Sequence, residues 1–201
     1  MANKGGQYER DICRTLSLWM TNGRDDDQLW RSSQSGGRAT SRAKKGKKTK
    51  GHSGDTVATG KYGRRLLKLV TMEIKRGYNT TANVHALLDL RPKADAVQTY
   101  EDWLTQAHTA AYRAGTPFWW LIHRRDRRAA VLYMPFRLWD KLRGFVKDIE
   151  PLVAFQCRVR RGRVGKKMKT HYFNVVGMPL DTFLTQCPPD LFWRCVPEGA
   201  K

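Results

Sequence analysis

The fold of this chain is constrained most by residues 70–77, which have the sequence VTMEIKRG. Successive side chains of a β-strand point to opposite faces of a sheet, so residues two apart share a face. One face of the strand carries Leu69, Thr71, Glu73 and Lys75, and the other carries Val70, Met72 and Ile74. Packing alone does not need a carboxylate and an ammonium group at the end of an apolar strand. Such a pair is suited to holding a divalent metal ion next to a water molecule.

Predicted helices and strands alternate along the first 135 residues. Apolar residues recur at Tyr8, Ile12, Leu16 and Trp19, the spacing of one helix face, and Asn22-Gly23 is a typical helix end. In chain order, the sequence predicts a helix over 4–20, strands over 29–33, 54–59 and 66–75, a helix over 99–114, and strands over 117–123 and 129–134. Residues 60–63 predict a hairpin between the second and third strands. This order is typical of an α/β fold with a mixed sheet flanked by helices.

The character of the sequence changes after Pro135. A short helix is predicted over 136–145, followed by strands over 152–160 and 169–176 around a basic turn at 161–167, and a last helix over 179–186. We therefore predict two parts, a core over residues 1–135 and a basic α+β C-terminal extension over residues 136–201. The extension is expected to pack against the sheet of the core.

The net charge favours a polyanionic partner. The 38 Lys and Arg residues outnumber the 18 Asp and Glu residues, which leaves a formal charge of +20. Nucleic acid is favoured over a membrane surface, because the sequence has no basic amphipathic helix and no acylation signal. Simple solubility and a ribosome-like structural role are the alternatives. With no signal peptide and no stretch of transmembrane length, the expected compartment is the cytoplasm of a prokaryotic or bacterial host cell.

The four cysteines include no CxxC pair, which also favours a reducing compartment. Cys13 is interpreted as a buried thiol on the first helix. A zinc site formed by Cys157, His171, Cys187 and Cys195 stays open as an alternative.

Two basic segments without acidic residues, 36–51 and 158–169, carry seven Lys or Arg residues each. Side chains of this kind contact phosphates without recognising sequence, and the affinity they give falls with salt. A solvated disordered segment or a targeting signal is the alternative for residues 36–51. The predicted DNA-binding residues are Arg31, Arg38, Arg42, Lys44, Lys45, Lys47, Lys48, Lys50, Arg158, Arg160, Arg161, Arg163, Lys166 and Lys167.

A phosphodiesterase site can be assembled around the strand that contains Glu73. Hydrolysis of a phosphodiester needs a hard cation that is bound by oxygen ligands. Asp55, which precedes Glu73 by 18 residues in the neighbouring predicted strand, can supply a second carboxylate. The backbone carbonyl of Ile74 can add a third ligand, and Lys75 would orient the attacking water or help to deprotonate it.

These residues resemble a known superfamily. Gly54-Asp55 followed by Glu73-Ile74-Lys75 resembles the PD-(D/E)xK nuclease signature, and the order of elements is similar to the α-β-β-β-α-β core of that restriction-endonuclease-like fold. Lys4-Gly5-Gly6 with Glu9-Arg10, and residues 31–36, resemble the archaeal Holliday-junction resolvase branch and its phage-encoded relatives. The resemblance covers about the first 135 residues. It implies a DNA endonuclease that uses Mg²⁺, with Mn²⁺ as a substitute, commonly as a homodimer.

The resemblance also implies roles for further residues. Glu9 would join the metal site, and Ser33 or Ser35 would assist at it. From its position on the second long helix alone, and not from the resemblance, Gln106 is either a contact to the metal-bound water or DNA, or an ordinary surface amide. The predicted catalytic residues are Glu9, Asp55, Glu73 and Lys75, and the predicted metal ligands are Glu9, Asp55, Glu73 and the Ile74 carbonyl. The sequence departs from the family in lacking a proline before Asp55 and in carrying the basic segment 36–51.

The sequence thus predicts a magnesium-dependent endonuclease for Holliday junctions or other branched DNA, acting in recombination or phage DNA processing. The same fold acting on linear duplex DNA, a non-catalytic nucleic-acid-binding protein and a structural RNA-binding protein are the alternatives. In the non-catalytic case, Glu73 and Lys75 form an ion pair on a solvated sheet, Asp55 is a turn residue, and Glu9 is a solvated carboxylate at a helix start. His85, His108 and His123 are interpreted as ordinary surface or core histidines.

Overall fold

The computed structural model describes residues 4–32, 54–83, 98–146, 151–164 and 167–196, with side chains described outside residue 4 and segments 158–164 and 167–170. In chain order the elements are α1 (Lys4–Met20), β1 (Leu29–Arg31), β2 (Thr56–Ala58), α2 (Lys61–Leu69), β3 (Val70–Arg76), α3 (Thr99–Ala114), β4 (Phe118–Arg124), β5 (Val131–Pro135), α4 (Phe136–Arg143), β6 (Val153–Val164), β7 (Lys167–Pro179), α5 (Leu180–Gln186) and α6 (Pro189–Cys195). The predicted basic segment 36–51 lies outside the described residues. No helix in the described ranges is long and apolar enough to cross a bilayer.

The centre of the fold is a five-stranded mixed sheet with the strand order β3-β4-β5-β7-β6. β3 and β4 are parallel, and the other neighbouring strands are antiparallel. β1 and β2 form a separate antiparallel ribbon of two strands. The mixed sheet with flanking helices confirms the predicted α/β fold class. It also leaves β3, the strand with the Glu73-Ile74-Lys75 motif, at one edge of the sheet.

Each face of the sheet is covered by its own apolar cluster. On one face, Met72 and Trp120 pack with Leu16 of α1 and with residues of α2, α4, α5 and α6. On the other face, Trp119 packs with Trp103 and other residues of α3. Burying a large apolar side chain contributes about 1.5–3 kcal/mol, so the two layers fix β3 between α1 and α3.

The two long helices have the bounds that the sequence predicts, because their apolar spacing and their ends agree. In α1, Tyr8, Ile12, Leu16 and Trp19 are all buried. The chain leaves the helix at Asn22 and Gly23, both with positive φ, where the Gly23 N–H donates to the Leu18 carbonyl at 2.7 Å. α3 ends in the same manner at Gly115 (φ 74°).

The predicted hairpin between the second and third strands is wrong, because residues 61–69 form helix α2. Leu66 and Leu69 are buried on one side of this helix, three residues apart, while Arg64 and Lys68 are exposed. The Gln28 side chain accepts a hydrogen bond from the Tyr62 N–H at 2.9 Å and so caps the helix start. The predicted strand over 66–75 therefore begins only at Val70.

Gly63 allows α2 to lie directly against the chain before β1. A Cβ atom added at this position would lie 1.8 Å from the Gln28 carbonyl oxygen. The glycines that predicted a turn thus permit a close helix contact instead.

The C-terminal segment completes the sheet. β7 pairs with β5 from Val131↔Pro179 to Pro135↔Val175, and β6 pairs with β7 as the outer strand. The basic turn predicted over 161–167 is too long, since β6 extends to Val164 and β7 starts at Lys167. Helix α6, with Pro189 in its first turn, was not predicted.

Candidate active site

Asp55 lies along the outer edge of β3, where two hydrogen bonds join it to the strand and a third joins it to the residue after β1. Its backbone N–H donates to the Met72 carbonyl at 2.9 Å, and its Oδ2 accepts the Ile74 N–H at 2.7 Å. Its own carbonyl accepts the Ser32 N–H at 2.8 Å. The predicted neighbourhood of Asp55 and the Glu73 strand is therefore present, although a helix rather than a hairpin connects the two segments.

Gly54 makes this close approach possible. Its φ is +95°, a conformation that side chains with a Cβ rarely adopt. A Cβ atom on Gly54 would lie 2.4 Å from the Met72 carbonyl oxygen. A glycine before Asp55 is thus required for the aspartate to lie against the strand edge.

Glu73 and Lys75 share one face of β3, as strand alternation predicts, and form an ion pair. The Lys75 Nζ donates to the Glu73 Oε1 at 2.6 Å, and the two side chains are only 20% and 12% exposed. The non-catalytic interpretation expects this ion pair on a solvated surface. The structure instead places it in a largely buried position. Removing two charges from water costs free energy unless the charges pair with each other or bind a ligand.

The pKa of Lys75 is raised above its ordinary value. Burial lowers it, but the Glu73 charge, the hydrogen bond to Glu73 and the Asp55 charge together outweigh burial. Lys75 is therefore an ammonium group at neutral pH. In this state it can donate hydrogen bonds to a water molecule or a phosphate oxygen, but it cannot accept a proton.

Asp55 has the opposite electrostatic situation. Burial, followed by repulsion from the Glu73 carboxylate, raises the pKa of Asp55 to about 7, although the Ile74 N–H and Lys75 both act to lower it. Only 6% of the residue is exposed. Two buried carboxylates that repel each other in this way are a suitable site for a divalent cation, since the cation stabilises both ionised forms.

The donor atoms fit a hard metal ion. Asp55 and Glu73 offer carboxylate oxygens, which Mg²⁺ prefers. The N–H and C=O groups of one strand residue point to the same edge, so the Ile74 carbonyl lies on the edge where the Ile74 N–H meets Asp55. These oxygen atoms are the candidate ligands nearest to the bond between Asp55 and the Ile74 N–H.

Glu9 lies near this group, but it has another partner. Its Oε2 accepts a hydrogen bond from the Nε of Arg31. Its charge contributes to raising the pKa of both Asp55 and the buried Cys13 thiol, the latter to about 12, behind burial as the main cause. Within the described ranges, no group of three or more His, Cys, Asp or Glu side chains is arranged to hold a metal. Asp55 therefore lies against the strand that carries Glu73, with a charge interaction between the two carboxylates, and Glu9 is held in an ion pair with Arg31.

Several predicted residues lie away from this edge or outside the described part of the chain. Gln106 is exposed and donates to Asp102 at 2.7 Å, which is the arrangement of a surface amide. The residues outside the described ranges are Ser33, Ser35, Arg38, Arg42, Lys44, Lys45, Lys47, Lys48, Lys50, His85 and Lys166. The side chains of Arg158, Arg160, Arg161, Arg163 and Lys167 are likewise not described.

The four residues considered for a zinc site do not converge. Cys157 belongs to the apolar cluster on the α3 face of the sheet, and Cys187 belongs to the cluster on the opposite face. The four cysteines lie in the described ranges and none of them forms a disulfide; Cys13, Cys157 and Cys187 are buried. The prediction of a buried Cys13 thiol is confirmed.

A buried polar network that the sequence did not predict lies next to Lys75. His123 is the partner of Lys75 in the parallel β3–β4 register. Its Nδ1 is 2.8 Å from the Tyr100 hydroxyl, and its Nε2 is 3.0 Å from the Gly77 carbonyl oxygen. Burial lowers the pKa of His123, so a neutral ring with Nε2–H donating to Gly77 and Nδ1 accepting from Tyr100 satisfies every group.

This network positions the end of β3. The Tyr133 hydroxyl donates to Tyr100 at 3.3 Å and extends the chain of hydrogen bonds to β5. His123, as expected, is a core histidine. Its partners could have been inferred only from the parallel register, which no local sequence pattern specifies.

A family model matches nearly the whole chain. The family model described as "Phage putative PDDEXK endonuclease" matches residues 1–194. No curated protein and no solved structure matches the chain. The match extends through the C-terminal strands and helices as well as the segment with Asp55 and Glu73.

Proposed function

Because the chain belongs to this family of phage PDDEXK endonucleases, we propose that it is a magnesium-dependent DNA endonuclease that cuts Holliday junctions or other branched DNA. The observation that supports the proposal is that Asp55 is hydrogen-bonded to β3 and interacts with the charge of Glu73, which pairs with the Lys75 ammonium group. The proposed setting is recombination or phage DNA processing in the cytoplasm of a bacterial cell.

Asp55, Glu73 and the Ile74 carbonyl would hold the metal ion in this proposal. When bound, Mg²⁺ would offset charge on the phosphate and lower the pKa of a water molecule. Glu9 is a further ligand only after it has left Arg31, so we assign it a supporting place in the site. Mn²⁺ is expected to substitute, since it also prefers oxygen ligands.

Lys75 would orient the attacking water and donate a hydrogen bond to a phosphate oxygen. Its raised pKa keeps the proton on Nζ, which favours this role over that of a base. Glu73 restricts the ammonium group to one position through the 2.6 Å hydrogen bond. The His123 network holds the Gly77 carbonyl and thereby fixes the strand end that follows Lys75.

Asp55 must lose its proton to act as a ligand. With a pKa of about 7 in the protein, it is half protonated near neutral pH. Cleavage at limiting Mg²⁺ should therefore increase as the pH rises through about 7, because metal binding and deprotonation of Asp55 are coupled.

The choice of DNA, and of branched DNA in particular, is supported by two features. The net charge of +20 favours binding to a polyanion without sequence recognition. The resemblance of residues 4–10 and 31–36 to junction resolvases favours recognition of DNA shape. A homodimer is part of the proposal and can be checked by light scattering.

The experiment measures cleavage and binding in parallel on a four-way junction, a flap, a linear duplex and an RNA duplex. Wild-type protein is compared with Glu73→Ala and Lys75→Ala. The exposed ion pair between Asp140 and Arg143 on α4, at 2.8 Å, provides matched controls in Asp140→Ala and Arg143→Ala. We expect each site variant to lose about 10²–10⁴-fold in cleavage rate with binding retained, and the controls to behave as wild type.

Other outcomes would select an alternative. Cleavage at the wild-type rate in both site variants would contradict the proposed site. Metal-independent binding without cleavage under any divalent ion would indicate a non-catalytic nucleic-acid-binding protein. Preference for the linear duplex would retain DNA as the substrate but exclude a preference for branches. Preference for RNA would replace DNA as the ligand.

A further inference from the structure

Trp30 occupies an unusual position on the β1–β2 ribbon. It is 51% exposed, while its neighbours in β1 point the other way. Leu29 is fully buried in the apolar cluster that contains Leu16 of α1, and Arg31 pairs with Glu9 of α1. The indole of Trp30 therefore lies on the outer face of the ribbon.

No other tryptophan is exposed in this way. All seven tryptophans lie within the described ranges. The six that are buried, each 9% exposed or less, are Trp19, Trp103, Trp119, Trp120, Trp139 and Trp193. Trp30 is thus by far the most exposed indole of the protein.

The ribbon brings Trp30 close to the candidate active site. Trp30 is the cross-strand partner of Val57, and the next pair along the ribbon is Arg31↔Thr56. One residue further, the Ser32 N–H donates to the Asp55 carbonyl. Asp55 is therefore the diagonal neighbour of Trp30, and side chains in this relation are about 7–8 Å apart. A base stacked on the indole would therefore be close along a DNA strand to a phosphate bound at Asp55.

A basic helix packs against the ribbon, and the sequence between its two strands is also basic. Helix α2, which follows β2 directly and packs against it, contains Lys61, Arg64, Arg65 and Lys68 and no acidic residue. The sequence that joins β1 to β2 carries seven Lys or Arg residues between positions 36 and 51. Aromatic side chains within a positively charged surface are the combination by which proteins bind unpaired bases.

We propose that Trp30 is a stacking site for an unpaired DNA base next to the phosphate at Asp55. The proposal deepens the endonuclease function and rests on it for the identity of the ligand as DNA. A base that is free of its partner, at a branch point or in a single strand, can stack on the indole, whereas a base within a continuous duplex cannot. Trp30 would thereby favour branched over linear DNA without contacting the reacting atoms.

The test is made on the full chain in EDTA, so that binding is measured without cleavage. The probes are a four-way junction, a single-stranded oligonucleotide and a blunt duplex of the same sequence. Trp30→Ala should weaken binding of the first two by about 5- to 150-fold, the range of one stacked base, and leave duplex binding unchanged. Trp30→Phe should retain part of the affinity. The matched control is Tyr112→Ala, which removes another exposed aromatic side chain, 76% exposed, on α3.

Two further measurements separate stacking from a charge effect or a folding defect. The slope of log affinity against log salt should be the same in Trp30→Ala and wild type, because no phosphate contact is lost. In wild-type protein, quenching of tryptophan fluorescence by acrylamide reports mainly Trp30, and saturating single-stranded DNA should reduce it. Wild-type affinity in Trp30→Ala, or unchanged quenching at saturation, would overturn the proposal.

The outcomes also distinguish this proposal from the endonuclease assignment. Weaker binding by Trp30→Ala in a protein that never cleaves DNA would retain the stacking site and remove the catalytic function. Normal binding by Trp30→Ala in a protein that cleaves junctions would remove the stacking site and retain the catalytic function.

Discussion

Replacing Asp55 with asparagine should stabilise the metal-free protein at neutral pH while it abolishes cleavage. Asparagine keeps the shape of the side chain, and its carbonyl oxygen can still accept the Ile74 N–H. It removes a buried negative charge that Glu73 repels. The change is therefore expected to have opposite effects on the free energy of unfolding and on the cleavage rate.

The size of the effect follows from the pKa of Asp55. Its rise from the ordinary value of 3.8 to about 7 corresponds to about three factors of ten in the ionisation equilibrium. Each factor of ten is about 1.36 kcal/mol, so the ionised carboxylate costs the folded protein up to about 4 kcal/mol. An acid whose pKa is higher in the folded than in the unfolded state contributes stability at low pH, and that contribution is lost as the pH rises through the folded pKa.

The assay is urea denaturation in EDTA at several pH values from about 5 to 8. The free energy of unfolding of Asp55→Asn minus that of wild type should increase across this window and level off above about pH 7. Asp140→Asn, an exposed carboxylate on α4, should show no such change. Saturating Mg²⁺ should stabilise wild type but not Asp55→Asn, since only a bound ligand shifts the unfolding equilibrium. A difference between the two proteins that is the same at pH 5 and pH 8 would refute this reasoning.

Three other predictions concern the surroundings of the site. Gly54→Ala should abolish cleavage and lower the free energy of unfolding by more than the about 1–2 kcal/mol that the left-handed backbone alone costs, because the added Cβ would also meet the Met72 carbonyl oxygen at 2.4 Å. Retained cleavage would show that Asp55 does not need this close contact. Ser17→Ala should lower the free energy of unfolding by about 1–3 kcal/mol, as measured by urea denaturation, because the buried Ser17 hydroxyl accepts two backbone N–H groups at 3.0 Å before and within β1. Deleting residues 36–51 should weaken DNA binding at physiological salt and reduce its salt dependence; unchanged binding would remove this segment from the DNA-contacting surface.

The parts of the structure that the sequence predicted are those in which local pattern and local ends agree. α1 and α3 have apolar residues at helical spacing and glycine-containing ends, so both bounds were correct. In residues 70–76, strict alternation placed Glu73 and Lys75 on one face. The strand predicted over residues 66–69 is wrong because the leucines there fit a strand as well as one helix turn. The close contact of Gly63 with Gln28 favours the helix.

The parts that the sequence did not predict depend on contacts between distant segments. The ion pair of Glu9 with Arg31 arises because the ribbon lies against α1. The partners of His123 follow from the parallel pairing of β3 with β4, whose strands are separated in sequence by α3. For the site itself, the sequence supplied the residue types, and the packing of the edge strand decided which of them meet.

The central claim is that Asp55 and Glu73 share one divalent cation. Titration of Mn²⁺ into the protein, followed by electron paramagnetic resonance or calorimetry, tests it without any substrate. We expect one site in the wild type, with proton release near neutral pH, and loss of that site in both Asp55→Asn and Glu73→Gln, while Asp140→Asn binds normally. Wild-type Mn²⁺ affinity in either site variant would contradict the claim.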